Sequence, residues 1–160
     1  GLNRVDFAGE NNIQSTPITI GRHRLESLQN HLMLFFTGLS RSASEIAGEQ
    51  IKQTPNKRHE LSEMHGMVDE AINILNGDNE LLEFGEPLQE SWQLKRSLTD
   101  KISTPHIDNI YDTAIGAGAT GGKLLGAGGK CAKHGSVVWL ELSWGWSRAQ
   151  PPRCQTSGAG

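Results

Sequence analysis

Several stretches of this chain hold residues whose types and spacing could do chemistry. In Glu90-Ser91-Trp92-Gln93-Leu94-Lys95-Arg96, helical steps put Leu88, Trp92, Leu98 and Ile102 in one apolar sector, with Lys95 inside it and Arg96 outside. A lysine on a core-facing side needs an anionic partner or an escape route for its head. Lys95 is therefore expected either to snorkel or to offer an ammonium to an anionic ligand at a sheet edge. Arg96 is expected to be a solvated surface charge. Thr37-Gly38-Leu39-Ser40-Arg41-Ser42 joins an apolar run to a helix. A helix N-terminus offers free N–H groups, and the Arg41 fork fits phosphate or carboxylate. Ordinary N-capping by Ser40 or Ser42 is the plainer alternative. Gly121-Gly122-Lys123-Leu124-Leu125-Gly126-Ala127-Gly128-Gly129 suits a short strand running into a glycine turn. Successive N–H groups in such a turn can cradle an anion. A helix C-cap followed by a loop would use the same glycines.

Other patterns fail on inspection. Gly116-Ala117-Gly118-Ala119-Thr120-Gly121 spells G-x-G-x-x-G, but a helix precedes it where a dinucleotide fold needs a strand. A P-loop ending at Gly122-Lys123 would need glycine where Ala117 stands. His59-Glu60 opens like a metalloprotease helix, yet Glu63 occupies the second histidine's place, so no metal site is expected. Cys131 and Cys154 have neither the company nor the spacing of a zinc site or a disulfide framework. No Ser-His-Asp or Cys-His grouping assembles.

The elements that must position these residues follow from periodicity. Leu2 to Phe7 alternates apolar and polar, and Ile13 to Ile20 resumes after turn residues Gly9 to Asn12, so the two form a hairpin with Pro17 at an edge or bulge. Arg22 to Asn30 is a short helix. His31 to Thr37 is a continuous apolar run, expected as a buried central strand. A helix over Ser42 to Lys52 has Ala43, Ile46, Ala47 and Ile51 on its stripe. Residues 57–76 place Leu61, Met64, Val68, Ile72 and Leu75 on another. A third helix is expected over about 86–102. The next begins with Thr104 as N-cap and Pro105 at its first position. Strands, then helices, then a glycine-rich return predict an α+β fold, a mostly antiparallel sheet with helices packed on one face.

Composition bounds the rest. The chain has 160 residues and a net charge of −3, enough for one domain and unlike a general nucleic-acid binder. No run of about 18 apolar residues exists to form a membrane-spanning helix, and residues 1–6 lack a signal peptide's apolar stretch, so a cytoplasmic protein is expected. The figures break at one place. Residues 130–160 hold both cysteines, three of four tryptophans, four basic residues and one acid. Residues 1–129 hold 11 basic and 17 acidic residues. Residues 130–160 are thus expected to be an atypical tail, frame-shifted or added to the domain, although Ser136 to Leu142 could still serve as a strand.

Taken in order, four segments resemble the C-terminal half of the GHMP kinases: His31 to Arg41, Met64 to Ala71, Glu90 to Leu98, and Gly121 to Gly129. Within that family they are most similar to the bacterial sugar kinases acting on D-glycero-D-manno-heptose 7-phosphate. The resemblance covers about four fifths of the chain. It implies a ferredoxin-like domain over residues 1–129, incomplete at its end. It further implies ATP- and Mg²⁺-dependent transfer of phosphate to the anomeric hydroxyl of a sugar phosphate. Arg41, Ser40 and Lys95 would contact that substrate, and Gly121, Gly122, Gly126, Gly128 and Gly129 would form the family's glycine loop. The family's N-terminal ATP-binding half and its phosphate loop are not in these residues. The chain alone is therefore expected to bind neither ATP nor Mg²⁺ tightly, to be inactive, and to contain no catalytic residue or metal ligand. Apolar surface where the other half should pack is expected to favour self-association. From a different class, a non-catalytic α+β anion-binding or interaction domain could use the same glycine turn and Arg41. An ACT-type regulatory domain has less support, being usually shorter and without this glycine loop.

Overall fold

The computed structural model describes residues 2–9, 12–36, 43–78, 80–125 and 136–141. Strands β1 (Asn3–Phe7) and β2 (Ile13–Pro17) form the expected antiparallel hairpin, paired from Asn3↔Pro17 to Phe7↔Ile13. Its alternation is inverted relative to a simple apolar-in pattern. Arg4 and Asp6 are the half-buried residues of β1, whereas Val5 and Phe7 are exposed. The inward charges are compensated: Arg4 donates to Asp6 at 2.9 Å and forms an ion pair with Asp69. That leaves Val5, Phe7 and Ile13 as an apolar surface, with Phe7 75% exposed.

Helix α1 (Arg22–His31) leads directly into β3 (Leu32–Phe36). Arg24 on α1 donates to the carbonyls of Leu75 and Ile74. These are among the last carbonyls of α3 (Arg58–Asn76), where a cation is also favoured by the helix dipole. Helix α2 (Ala43–Gln53) passes through a 3₁₀ turn (Thr54–Asn56) into α3. A second 3₁₀ turn (Leu81–Phe84) leads into α4 (Gly85–Ser97). Helix α5 (Pro105–Gly116) begins as its sequence requires, with the Thr104 hydroxyl accepting from the Ile107 N–H at 3.3 Å. Gly118, at φ +104°, turns the chain from α5 into β4 (Ala119–Leu124). The last strand, β5 (Ser136–Glu141), lies within the atypical tail.

The sheet order is β3-β5-β4, antiparallel throughout. The chain is therefore α+β, with a small antiparallel sheet and helices packed against it. The His31–Thr37 run corrects one expectation. Among the described residues β3 pairs only with β5 and is an edge, and β5 is the central strand. Met33 and Phe35 face the main core, while Leu34 between them is 65% exposed. An apolar run cannot distinguish an edge strand from a central one.

The main core joins Ile46 of α2, Trp92 of α4, Ile107, Tyr111 and Ala114 of α5, and Leu124 of β4. Leu98 and Ile102 also enter it, although α4 stops at Ser97 rather than running to 102. The Ser97 hydroxyl donates to the Leu94 carbonyl, a local bond that competes with helix continuation. A smaller core gathers Leu28, Leu75 and Leu81, with Leu32 against it. Along α3 the buried positions are Met67, Ile74 and Leu75. The expected stripe is thus rotated, leaving Val68 exposed. Ile51, expected on the stripe of α2, is 71% exposed.

Candidate functional site

The seam between α4 and β4 brings the sequence's charged candidate to the glycine segment. Lys95 lies on the inner side of α4, and its Nζ donates to the Leu124 carbonyl at 3.2 Å. Leu124 is the last residue of β4 and stands two positions before Gly126. From the opposite element, Lys123 on β4 donates through Nζ to the Ser91 hydroxyl on α4 at 3.1 Å. The two ammoniums thus cross the seam in opposite directions. Helix and strand periodicity makes this arrangement intelligible. Ser91 and Lys95 are four apart on one helix face, while Gly121 and Lys123 are two apart on one strand face.

Burial controls the electrostatics. Desolvation, followed by the neighbouring charge of Lys123, pulls the Lys95 ammonium down to about 8. Desolvation also lowers Lys123 below the ordinary lysine range. Both lysines line a cleft of about 390 Å³, whose other walls include Gln50, Thr54, Leu61 and Met64. Lys57 stands on the same wall as Thr54 but is committed to an ion pair with Glu60 at 2.6 Å. A second cleft, about 400 Å³, shares Lys123 and Met64 and continues beneath the hairpin past Ser91, Met67 and Val5. Lys123 is thus common to both clefts, with Lys95 in one and Ser91 in the other, so the surface around it is locally cationic inside an apolar frame. Such a surface suits an anion more than a cation or a neutral solute.

Close approach of the two elements depends on glycine. A Cβ on Gly121 would run into the Gly85 carbonyl oxygen, and one on Gly85 would run into the Thr120 side chain. Gly121 and Gly122 are buried residues of β4, so they are strand positions rather than loop positions. They supply the strand part of the expected strand-into-turn segment. What Gly121 visibly does is let α4 press on the sheet. Ser40, Arg41, Gly126, Gly128 and Gly129 lie outside the described residues.

Arg96 is not a solvated charge. It pairs with Asp108 on α5 at 3.0 Å and lies 5.8 Å from the Trp92 ring centroid. It therefore ties α4 to α5 rather than facing the cleft. His59 contacts Glu63 at 3.3 Å along α3, and among the described residues no group of three metal-ligating side chains converges. Lys123 and Ser91 were not singled out by motif reasoning. Their signal lay in spacing: each shares a face with a residue that was.

Residues 63–132 match the family model described as GHMP kinases C terminal. The chain is 29% identical over 134 residues to D-glycero-alpha-D-manno-heptose 7-phosphate kinase of Campylobacter jejuni, an alignment covering 80% of this chain and 38% of that protein. It resembles in fold the crystal structure of L. major mevalonate kinase in complex with R-mevalonate, with a TM-score of 0.61 and 19% identity. That match covers 82% of this chain and 38% of the kinase. The chain thus spans about two fifths of the length of the relatives it matches.

Proposed function

We propose that the chain is the C-terminal domain of a GHMP kinase and forms the substrate-side part of an ATP-dependent sugar kinase, a reading supported by the family-model match over residues 63–132. Its substrate would be a sugar phosphate of the heptose 7-phosphate type, phosphorylated at the anomeric hydroxyl. One observation carries the substrate side. Lys95 reaches from α4 to the last carbonyl of β4, two residues before Gly126. An ammonium at that place can bind an anionic substrate group where the family's glycine loop begins. Ser40 and Arg41, at the entry to α2, are proposed to contribute further contacts to the same substrate.

Phosphoryl transfer is chiefly positioning and charge stabilisation. This chain's share is to hold the acceptor sugar through its anionic end and to frame it with the apolar walls at Leu61 and Met64. ATP and Mg²⁺ would supply the transferred phosphoryl group and its charge neutralisation. The described residues do not fit a Mg²⁺ site, since no three carboxylates or imidazoles come together.

The test is transfer of phosphate from ATP to a panel of sugar phosphates by the gene product in its full reading frame. A heptose 7-phosphate should be the preferred acceptor, and absence of transfer to any sugar phosphate would overturn the proposal. The 160-residue chain by itself should give no product in a single-turnover assay.

A further inference from the structure

Ser91 is 8% exposed and its hydroxyl has an unusual set of partners. Serine and threonine hydroxyls within helices commonly bond back to a carbonyl of their own helix. Ser97 does so to Leu94, and Thr113 does so to Asn109. Ser91 does not: among the described residues its oxygen accepts from Lys123 Nζ, and no acceptor receives its O–H. A hydroxyl that accepts from an ammonium keeps a donor to give. Here that donor is buried beside the Lys123 ammonium, and both residues line the cleft beneath the hairpin.

Lys123 is equally distinctive. Among the described residues it forms no ion pair with a carboxylate, and its hydrogen bond goes to a neutral oxygen. Among the described residues, Arg4 pairs with Asp6 and Asp69, Lys57 with Glu60, and Arg96 with Asp108, whereas Arg24 and Lys95 donate to backbone carbonyls. Burying a cation without an anion is costly. Placing a second ammonium, Lys95, within electrostatic reach adds to that cost. A bound dianion would reverse both penalties and take the Ser91 proton as a third contact.

We propose that Lys123 and Ser91, with Lys95 on the far side of Lys123 in the adjoining cleft, form a seat for a phosphate monoester dianion where the two clefts share Lys123. A phosphate group offers enough acceptor oxygens for two ammoniums and one hydroxyl, whereas a single carboxylate would leave one ammonium poorly matched. The adjoining clefts leave room on either side of Lys123 for the organic part of the ligand. The seat itself stands on this geometry. Identifying its natural occupant as the phosphate already present on the sugar substrate rests on the kinase proposal.

The experiment is calorimetric titration of inorganic phosphate into the 160-residue chain at pH 7 and low ionic strength. The parent protein should bind saturably. Lys123→Met should weaken binding about tenfold or more, and Ser91→Ala about threefold to tenfold, as expected for charge-assisted hydrogen bonds. Lys123→Arg should retain binding within about threefold because it keeps the charge. Lys52→Met, which removes an equal charge from an exposed pair with Glu49, should leave affinity within about twofold. Circular dichroism of each variant establishes that it is folded. No saturable binding by the parent, or undiminished binding by folded Lys123→Met, overturns the seat. If phosphate binds as described but the full gene product phosphorylates no sugar phosphate, the seat stands and the kinase proposal falls. Sugar kinase activity with no loss in Lys123→Met leaves the kinase proposal standing and removes the seat from it.

Discussion

Lys95 shows how a single side chain can link stability to ligand binding. Among the described residues that line its cleft, none is a carboxylate. Lys123 lies across the seam on β4, α2 presents Ala47, Gln50 and Ile51, α3 presents Leu61 and Met64, and Lys57 beyond Thr54 is paired with Glu60. The folded-state pKa of about 8 lies below the ordinary lysine value of 10.5. Between those values the unfolded chain binds more protons than the folded one, so stability rises with pH across that window. Below about 8 both states are protonated and the full cost of the buried charge is present. Urea midpoints measured from pH 7.5 to pH 10.5 should therefore increase for the parent protein, beyond the change seen in Lys95→Met. An equal pH slope in the variant would show that Lys95 is not the group responsible. A bound phosphate should have the opposite effect on the same proton, holding it on the lysine to higher pH.

At the scale of elements, the α4–β4 seam decides whether the two lysines meet at all. The helix can approach the strand because Gly121 presents no side chain to the Gly85 carbonyl and Gly85 presents none to Thr120. Neither glycine has positive φ, so close contact is the relevant constraint at both. Gly121→Ala should push α4 outward and lower stability by about 1–3 kcal/mol, the usual range for overpacking. It should also weaken phosphate binding by separating Lys123 from Ser91. Denaturant melts together with phosphate titration check both effects. Gly116→Ala is a useful contrast, because an added Cβ there meets nothing within 4 Å, and its stability should change by less than about 1 kcal/mol. The bulge in β4, where the register shifts between Ala119 and Gly121, sits directly beside the seam. Such a bulge can re-aim the side chains that follow it, and Lys123 is two residues on.

For the whole molecule, the decisive strand is β5. It comes from the tail whose composition departs from the rest of the chain, yet it pairs with β3 on one side and β4 on the other. Val138 stands between Leu34 and Lys123 in the register. Val138→Pro removes a backbone donor from a central strand and should cost about 3 kcal/mol or more. A thermal unfolding midpoint unchanged by this substitution would contradict the sheet order. The exposed Phe7 and Ile13 on the hairpin lie elsewhere on the surface and should remain tolerant of polar substitution in the isolated chain.

The sequence by itself determined the elements and the unusual lysine. Thr104-Pro105 set the start of α5, because capping and φ restriction act within a few residues. The apolar sector around Lys95 identified that lysine as out of place on a surface, because helical periodicity is local. Local rules also mark where inference stops. They identified His31–Thr37 as a strand but not as an edge, since pairing is non-local. They marked Gly121 as part of a glycine motif but not as the contact point for Gly85, which is 36 positions away in sequence. Only the tertiary structure decided that Arg96 would join α5, that the hairpin's charges would face inward onto Asp69, and that Lys123 would meet Ser91. Each depends on distances between elements, which are set by packing the core around Trp92, Ile102 and Leu124.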